Sequence, residues 1–139
     1  MTKYILITTD GGAQLDYQGD GLANKQKAVG GLIEYVGLQY KRHINLMSYP
    51  TPRTSEKILL RDNIKPSDRV SDADGVAWVN ENGLSLNLAR NWRATELISN
   101  MFEGASFVGD VLFEIYNEDM YKFLKTMSRR SRWKNYLVR

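Results

Sequence analysis

The spacing of apolar positions changes several times along the chain, and each change marks an expected element. Lys3 to Thr9 is short, apolar and β-branched and ends at Asp10-Gly11-Gly12, which predicts a buried strand running into a loop. Gly11 to Gly21 holds four glycines and two aspartates and little that packs, so it reads as loop. Leu22 to Val29 carries helix formers, with apolar residues at Leu22, Ala23 and Val29, and predicts one or two helical turns stopped by Gly30-Gly31. Leu32 to Leu38 predicts a second strand. From Gln39 to Arg69 the pattern is looser. His43 to Tyr49 alternates as a strand would, Pro50-Thr51-Pro52 is extended or turning, Ile58 to Leu60 is a short strand and Lys65 to Asp68 is loop.

The second half is more regular. Gly75 to Asn80 predicts a strand, Glu81-Asn82-Gly83 supplies an Asn-Gly turn, and Leu84-Ser85-Leu86 returns from it as a hairpin. Ala89 to Phe102 spaces Trp92, Leu97, Ile98, Met101 and Phe102 mostly as an amphipathic helix does, with Gly104 placed to end it. Phe107 to Ile115 is a strand with a kink at Gly109-Asp110. Asn117-Glu118-Asp119 offers a cap and an acidic first turn to a closing helix whose apolar face carries Met120, Phe123, Leu124 and Met127. The expected fold class is α+β: a mostly antiparallel sheet of four to six strands with two or three helices, the last of them basic.

Composition narrows this. A chain of 139 residues, 42% hydrophobic and 25% charged, suits one folded domain over 1–139, with a core of about 1–116 and a helical extension over 117–139. With no cysteine, disulfides, thiol catalysis and Cys-ligated metal are excluded. The apolar runs fall far short of 18 residues and the first residues do not read as a signal peptide, so a cytoplasmic protein is expected. The net charge of +3 conceals an uneven distribution. All sixteen acids lie at or before Asp119, leaving 1–121 with twelve cations and a net −4, whereas the last 18 residues hold seven cations and no acid. A basic end on an acidic body points to a polyanionic partner.

Three segments stand in order along the chain: Val29-Gly30-Gly31-Leu32-Ile33-Glu34-Tyr35-Val36, then Val79-Asn80-Glu81-Asn82-Gly83 with Leu86-Asn87 and Asn91-Trp92-Arg93-Ala94-Thr95, then Val108-Gly109-Asp110-Val111-Leu112. Together they resemble a family known as domain of unknown function 3846, found in phages and conjugative elements. They span roughly half of the chain. The segment between Leu38 and Gly75 is longer than the family pattern, and the basic end after Ile115 is additional. The resemblance implies an origin in a mobile element, where proteins of this size commonly bind and block host machinery. It carries no catalytic residue and no cofactor.

Four constellations bear on chemistry. Thr8-Thr9-Asp10-Gly11-Gly12 resembles the strand end of ribonuclease-H-like nucleases, where Asp10 with Glu34, Asp62 and Asp110 would have to converge on divalent metal. His43 is the single histidine and lies beside Lys41 and Arg42, a pattern that suits a basic strand surface better than a metal site or a triad. Asn87, Arg90, Asn91, Arg93 and Thr95 gather near an expected helix start, where free N–H groups favour anions and two arginines three apart can grip one phosphate. The other reading makes Asn87 the helix cap and leaves both arginines solvated. At the basic end, Lys122, Lys125, Arg129, Arg130, Arg132, Lys134 and Arg139 interleave with Tyr121, Phe123, Trp133 and Tyr136, a combination that serves both phosphates and base faces; the other reading makes Phe123 and Trp133 core anchors and leaves the cations on a solvated face. Lys41, Arg42, Arg53, Lys57 and Arg61 extend such a patch if the fold collects them.

The leading expectation is therefore a non-enzymatic phage or mobile-element accessory protein in the host cytoplasm, binding a polyanion for host takeover or counter-defence. Its partner is nucleic acid, an acidic host protein or another anionic ligand, with no membrane involved. The alternatives are a homo-oligomeric sponge for a signalling nucleotide and a metal-dependent nuclease using Asp10.

Overall fold

The computed structural model describes residues 2–61, 73–99 and 106–128. Among them six strands form one antiparallel sheet with three helices, an α+β fold. The strands are β1 (Lys3–Ile7), β2 (Ala13–Leu15), β3 (Ile33–Asn45), β4 (Arg53–Arg61), β5 (Gly75–Asn80) and β6 (Val111–Ile115); the helices are α1 (Leu22–Val29), α2 (Trp92–Glu96) and α3 (Glu118–Ser128). The strand order is β2-β1-β6-β5-β3-β4. No helix among the described residues is long and apolar enough to cross a membrane.

The two-residue period of the strands sorts side chains onto two faces. Ile5, Phe113, Ala77 and Val36 are successive register partners across four strands and share one face. Ala94, Leu97, Met120 and Leu124 cover that face, so α2 and α3 lie on it, and Phe107 meets Phe113 edge-on at 6.5 Å. The opposite face carries Leu6, Leu112 and Trp78 and is covered by Ala28 and Val29 of α1. Each large apolar side chain withdrawn from water here contributes roughly 1.5–3 kcal/mol.

The sheet edges and helix ends follow from local chemistry. Gly30 takes φ 77° and closes α1, its N–H returning to the Gln26 carbonyl at 2.8 Å. Asn117 caps α3 by accepting from the Met120 N–H at 3.0 Å. Asp74 joins four elements. Its carboxylate accepts from the Tyr40 N–H at 2.8 Å and the Asn117 side-chain amide at 3.3 Å, and its carbonyl accepts from the N–H groups of Tyr116 and Asn117.

Three expectations are corrected. No hairpin follows Asn80: residues 81–87 form a chain of turns, with Leu84 and Leu86 exposed. The reason is that β5 is already paired on both sides, by β3 and β6, so a returning strand has no free edge. The helix expected over 89–102 is the five-residue α2, capped by Asn91 rather than Asn87, and Trp92 is half exposed instead of facing the core; residues 100–102 lie outside the described ones. The region read as loop after Gly11 contains β2, whose Ala13 and Leu15 pack against the core.

Gly75 marks a tight crossing in the sheet. A Cβ there would stand 2.6 Å from the Glu114 carbonyl oxygen and 3.2 Å from Met120 Cε. Gly75→Ala is expected to lower stability by about 1–3 kcal/mol, because the backbone of β6 must move to admit the methyl. The midpoint of chemical denaturation measures this; an unchanged midpoint removes the packing account.

Candidate nucleic-acid interface

The polar cluster around α2 is mostly structural. Asn91 is fully buried, donates from its side-chain amide to the carbonyls of Ile7 (2.9 Å) and Gly109 (3.0 Å), and accepts from the Ala94 N–H at 3.0 Å. Thr95 donates to the Asn91 carbonyl at 2.7 Å and accepts from the Phe107 N–H at 2.9 Å. Arg93 reaches away from Arg90 and donates to the Ser128 carbonyl, at the C-terminal end of α3. Burial lowers the Arg93 pKa from its ordinary value, and the Asp10 charge works in the other direction. Arg90 is exposed and stacks over the Trp92 ring at 5.3 Å. Asn87 is exposed, in the left-handed region at φ 55°. The two arginines thus form no common grip, and Asn91 presents nothing to solvent.

Two of the carboxylates expected at a nuclease centre, Asp10 and Asp110, are engaged in local bonds, and Glu34 is exposed. Asp10 accepts from the Thr8 hydroxyl and from the Gly12 N–H at 2.9 Å, and these bonds hold its pKa below the usual carboxylate value, the Thr8 bond most of all. Asp110 accepts from the Thr9 N–H at 3.0 Å. Among the described residues no three His, Asp or Glu side chains gather as a metal site would require. Asp62 lies outside the described residues.

Of the basic end, Lys122 and Lys125 are on α3. Lys122 pairs loosely with Glu118 at 3.9 Å, and Lys125 lies 5.9 Å from the Tyr121 ring. Arg129, Arg130, Arg132, Trp133, Lys134 and Tyr136 are outside the described residues.

A cationic surface does assemble, from the residues noted as a conditional extension of the patch. β3 pairs with β5 only along Ile33–Leu38, whereas β3 and β4 stay paired as far as Asn45 and Arg53. The change comes at Tyr40, whose N–H turns to Asp74 rather than to a strand. On the outer side, β4 is covered at Ile58 by a bridge to Ile98 and by the Ser99 N–H bonded to the Ile58 carbonyl at 2.8 Å. Beyond these two points the hairpin is a two-stranded arm, with residues 41–47 and 49–57 exposed.

Register decides what each face of the arm carries. One face presents Lys41 opposite Lys57, His43 opposite Ser55, and Asn45 opposite Arg53, and Arg61 continues that face into the sheet, opposite Gly37. No acid stands on it. The arm's one acid, Glu56, lies on the other face, opposite Arg42, where it accepts from the Tyr40 hydroxyl. Residues 39–61 hold five Lys or Arg against that single Glu, a net +4. At about 3.4 Å per residue, Arg61 and Arg53 are roughly 27 Å apart, with the lysine pair midway. Like charges directly opposite each other across a ladder are destabilising. Lys41 and Lys57 therefore gain from an anion laid along that face.

A second polar cluster lies on the sheet face under α1. Lys25 is buried, donates to the Gly19 carbonyl at 3.0 Å, stands 3.5 Å from Glu114 and faces the rings of Tyr4 (5.5 Å) and Trp78 (5.4 Å). Tyr4 donates to Glu114 at 2.6 Å, and Tyr116 donates to the other carboxylate oxygen. This cluster borders an open cleft of about 610 Å³ whose lining includes Asp16, Asp20 and Glu114. With Glu114 paired to Lys25, Asp16 and Asp20 stand against Lys3 alone in that lining, a negative balance that disfavours a phosphate.

Searches of protein-family models, of curated proteins and of solved structures find no match to this chain.

The tyrosines carry a testable pH dependence. Burial, followed by the bond to Glu114, raises the Tyr4 and Tyr116 pKa values well above 10, and burial with the Glu56 bond lifts Tyr40 to about 12. The folded state thus holds these protons more tightly than the unfolded chain. Their contribution is complete below pH 10 and is lost as pH climbs beyond it. Denaturation midpoints are expected to fall above about pH 10, with a shallower fall in Tyr4→Phe and Tyr116→Phe. Equal slopes in all three proteins exclude this origin.

Proposed function

We propose that this protein is a non-enzymatic accessory protein of a phage or mobile element that binds duplex DNA along the cationic face of the β3–β4 arm, in service of host takeover or counter-defence. The observation that carries the reading is the register of the arm: Lys41 opposite Lys57, with Arg53 and Arg61 on the same face and no acid among them. Two further points support it. A two-stranded ribbon fits a groove of the duplex, which offers phosphates along the whole 27 Å or so from Arg53 to Arg61. The basic end, from Lys122 onward, adds charge without an opposing acid. The mobile-element part of the reading rests on the resemblance of the three sequence segments. The host cytoplasm, where the DNA lies, is the expected compartment.

Fluorescence anisotropy on a short labelled duplex, repeated across salt concentrations, tests the arm. Affinity is expected to fall steeply with salt. In the triple variant Lys41→Gln, Arg53→Gln, Lys57→Gln the slope of log K against log salt is expected to shrink by about 2–3, near 0.9 per phosphate contact removed. An unchanged slope, or wild-type protein that leaves the duplex unbound at low salt, defeats the reading. The variant Arg129→Ala, Arg130→Ala, Arg132→Ala, measured alongside, gives the share carried by the basic end.

A further inference from the structure

The arm ends in apolar residues that no described part of the chain covers. Leu46 is 74% exposed, Met47 91% and Tyr49 91%, with Ile44 about half exposed and Pro50 exposed beside them. The turn holding them is organised rather than loose: Asn45 accepts from the Met47 N–H on its side-chain oxygen at 3.0 Å and from the Ser48 N–H on its carbonyl at 3.4 Å. A soluble protein has no folding reason to keep such side chains at the far end of a ribbon, because burying them elsewhere would stabilise it. Their position calls for an apolar site in a partner that also accepts the charge behind them.

We propose that the tip is a wedge: Leu46, Met47 and Tyr49 insert between neighbouring base pairs of the duplex that the arm grips, unstacking one step and kinking the DNA. This rests on the duplex-binding reading and adds to it a shape change in the ligand. The interior of a base stack is the apolar site closest to a dense line of phosphates, and Leu, Met and Pro are among the side chains that serve as wedges. Arg53 stands on the cationic face next to the tip, placed to hold a phosphate beside the opened step. The distribution of charge argues for a groove over a flat anionic surface. A surface touched by the tip attracts only cations within a screening length of about 8 Å. Lys41 and Lys57 are roughly 14 Å, and Arg61 roughly 27 Å, farther along the arm than Arg53. A groove running beside the arm engages all of them.

The test uses a duplex of about 30 base pairs carrying a fluorophore at each end, read by energy transfer at saturation, with anisotropy reporting occupancy on the same samples. Wild-type protein is expected to raise the transfer, and to bind a duplex with a central nick roughly tenfold more tightly, because a nick lowers the cost of the kink. The tip variant Leu46→Ser, Met47→Ser, Tyr49→Ser is expected to keep its salt slope, lose most of the rise in transfer and lose the preference for the nick. The substituted positions are exposed, so an unchanged denaturation midpoint certifies the variant. Saturated binding without a rise in transfer overturns the wedge and leaves duplex binding standing. So does a tip variant that bends DNA as wild type does. Absence of anisotropy change with wild type overturns both. Tip-dependent sedimentation with anionic lipid vesicles, or a tip-dependent dimer in sedimentation velocity, each with undistorted DNA, assigns the tip to a membrane or to a second copy and overturns the wedge.

Discussion

The Tyr40 N–H is the point at which the backbone of β3 stops being sheet and becomes arm, because the carboxylate of Asp74 takes the hydrogen bond that a neighbouring strand would otherwise accept. A charged acceptor on a backbone donor is worth more than a neutral one, roughly 1.5–3 kcal/mol against about 1. Asp74 applies that strength at a crowded junction. The same residue receives the end of β6 through Tyr116 and the start of α3 through both amides of Asn117. The start of β5, the end of β6, the cap of α3 and the root of the arm are therefore fixed by one side chain and its own carbonyl. Without this stop, β3 would continue as an ordinary strand requiring another neighbour. With it, the hairpin leaves the sheet in a defined direction.

Buried amides do similar work inside the molecule, and they explain why the motif residues are what they are. Asn80 donates to the Val29 carbonyl at 3.2 Å and accepts from the Asn82 N–H at 2.8 Å, fastening the end of α1 to the turn after β5. Its side chain occupies the space that a Cβ on Gly31 would need. Asn91 ties α2 to β1 and to Gly109, which itself adopts φ 75°. The segments around Asn80 and Asn91 thus meet the rest of the chain as structural fastenings. They define the frame, while the cationic arm lies outside them.

Local pattern made much of the frame legible. α1 stops at its glycine, β5 occupies the residues read for it, β6 forms the end of its expected segment, and α3 starts at its asparagine cap and turns the expected four apolar residues inward, because each depends on residues within one or two turns of itself. What was missed depends on distant partners. The Asn-Gly turn is a strong hairpin signal, yet β5 had both edges taken by strands far away in sequence. The α2 cluster looked like an anion grip because its polar residues are close in sequence, whereas the fold sends Asn91 into the core and Arg93 to the end of α3. The arm was readable only in part. Gln39, Lys41, His43 and Asn45 alternate with Tyr40 and Ile44, and a turn at Pro50 separates them from the matching cations of β4, but the charge on one face appears only once register is known. A strand buried on neither side offers little hydrophobic period to detect.

The arm's length is a variable the core does not constrain. Beyond Asp74 and Ile58 its residues bond mainly to each other across the ladder, so chain can be gained or lost at the turn without disturbing the packed sheet. The pleat nevertheless makes reach come in steps. Adding two residues to each strand extends the ribbon by roughly 7 Å and keeps every cation on its face. Adding one to a single strand sends the cations of that strand beyond the insertion to the side of Glu56 and breaks the acid-free surface. The reach of the arm can thus change only in paired increments, with the sequence of the frame untouched.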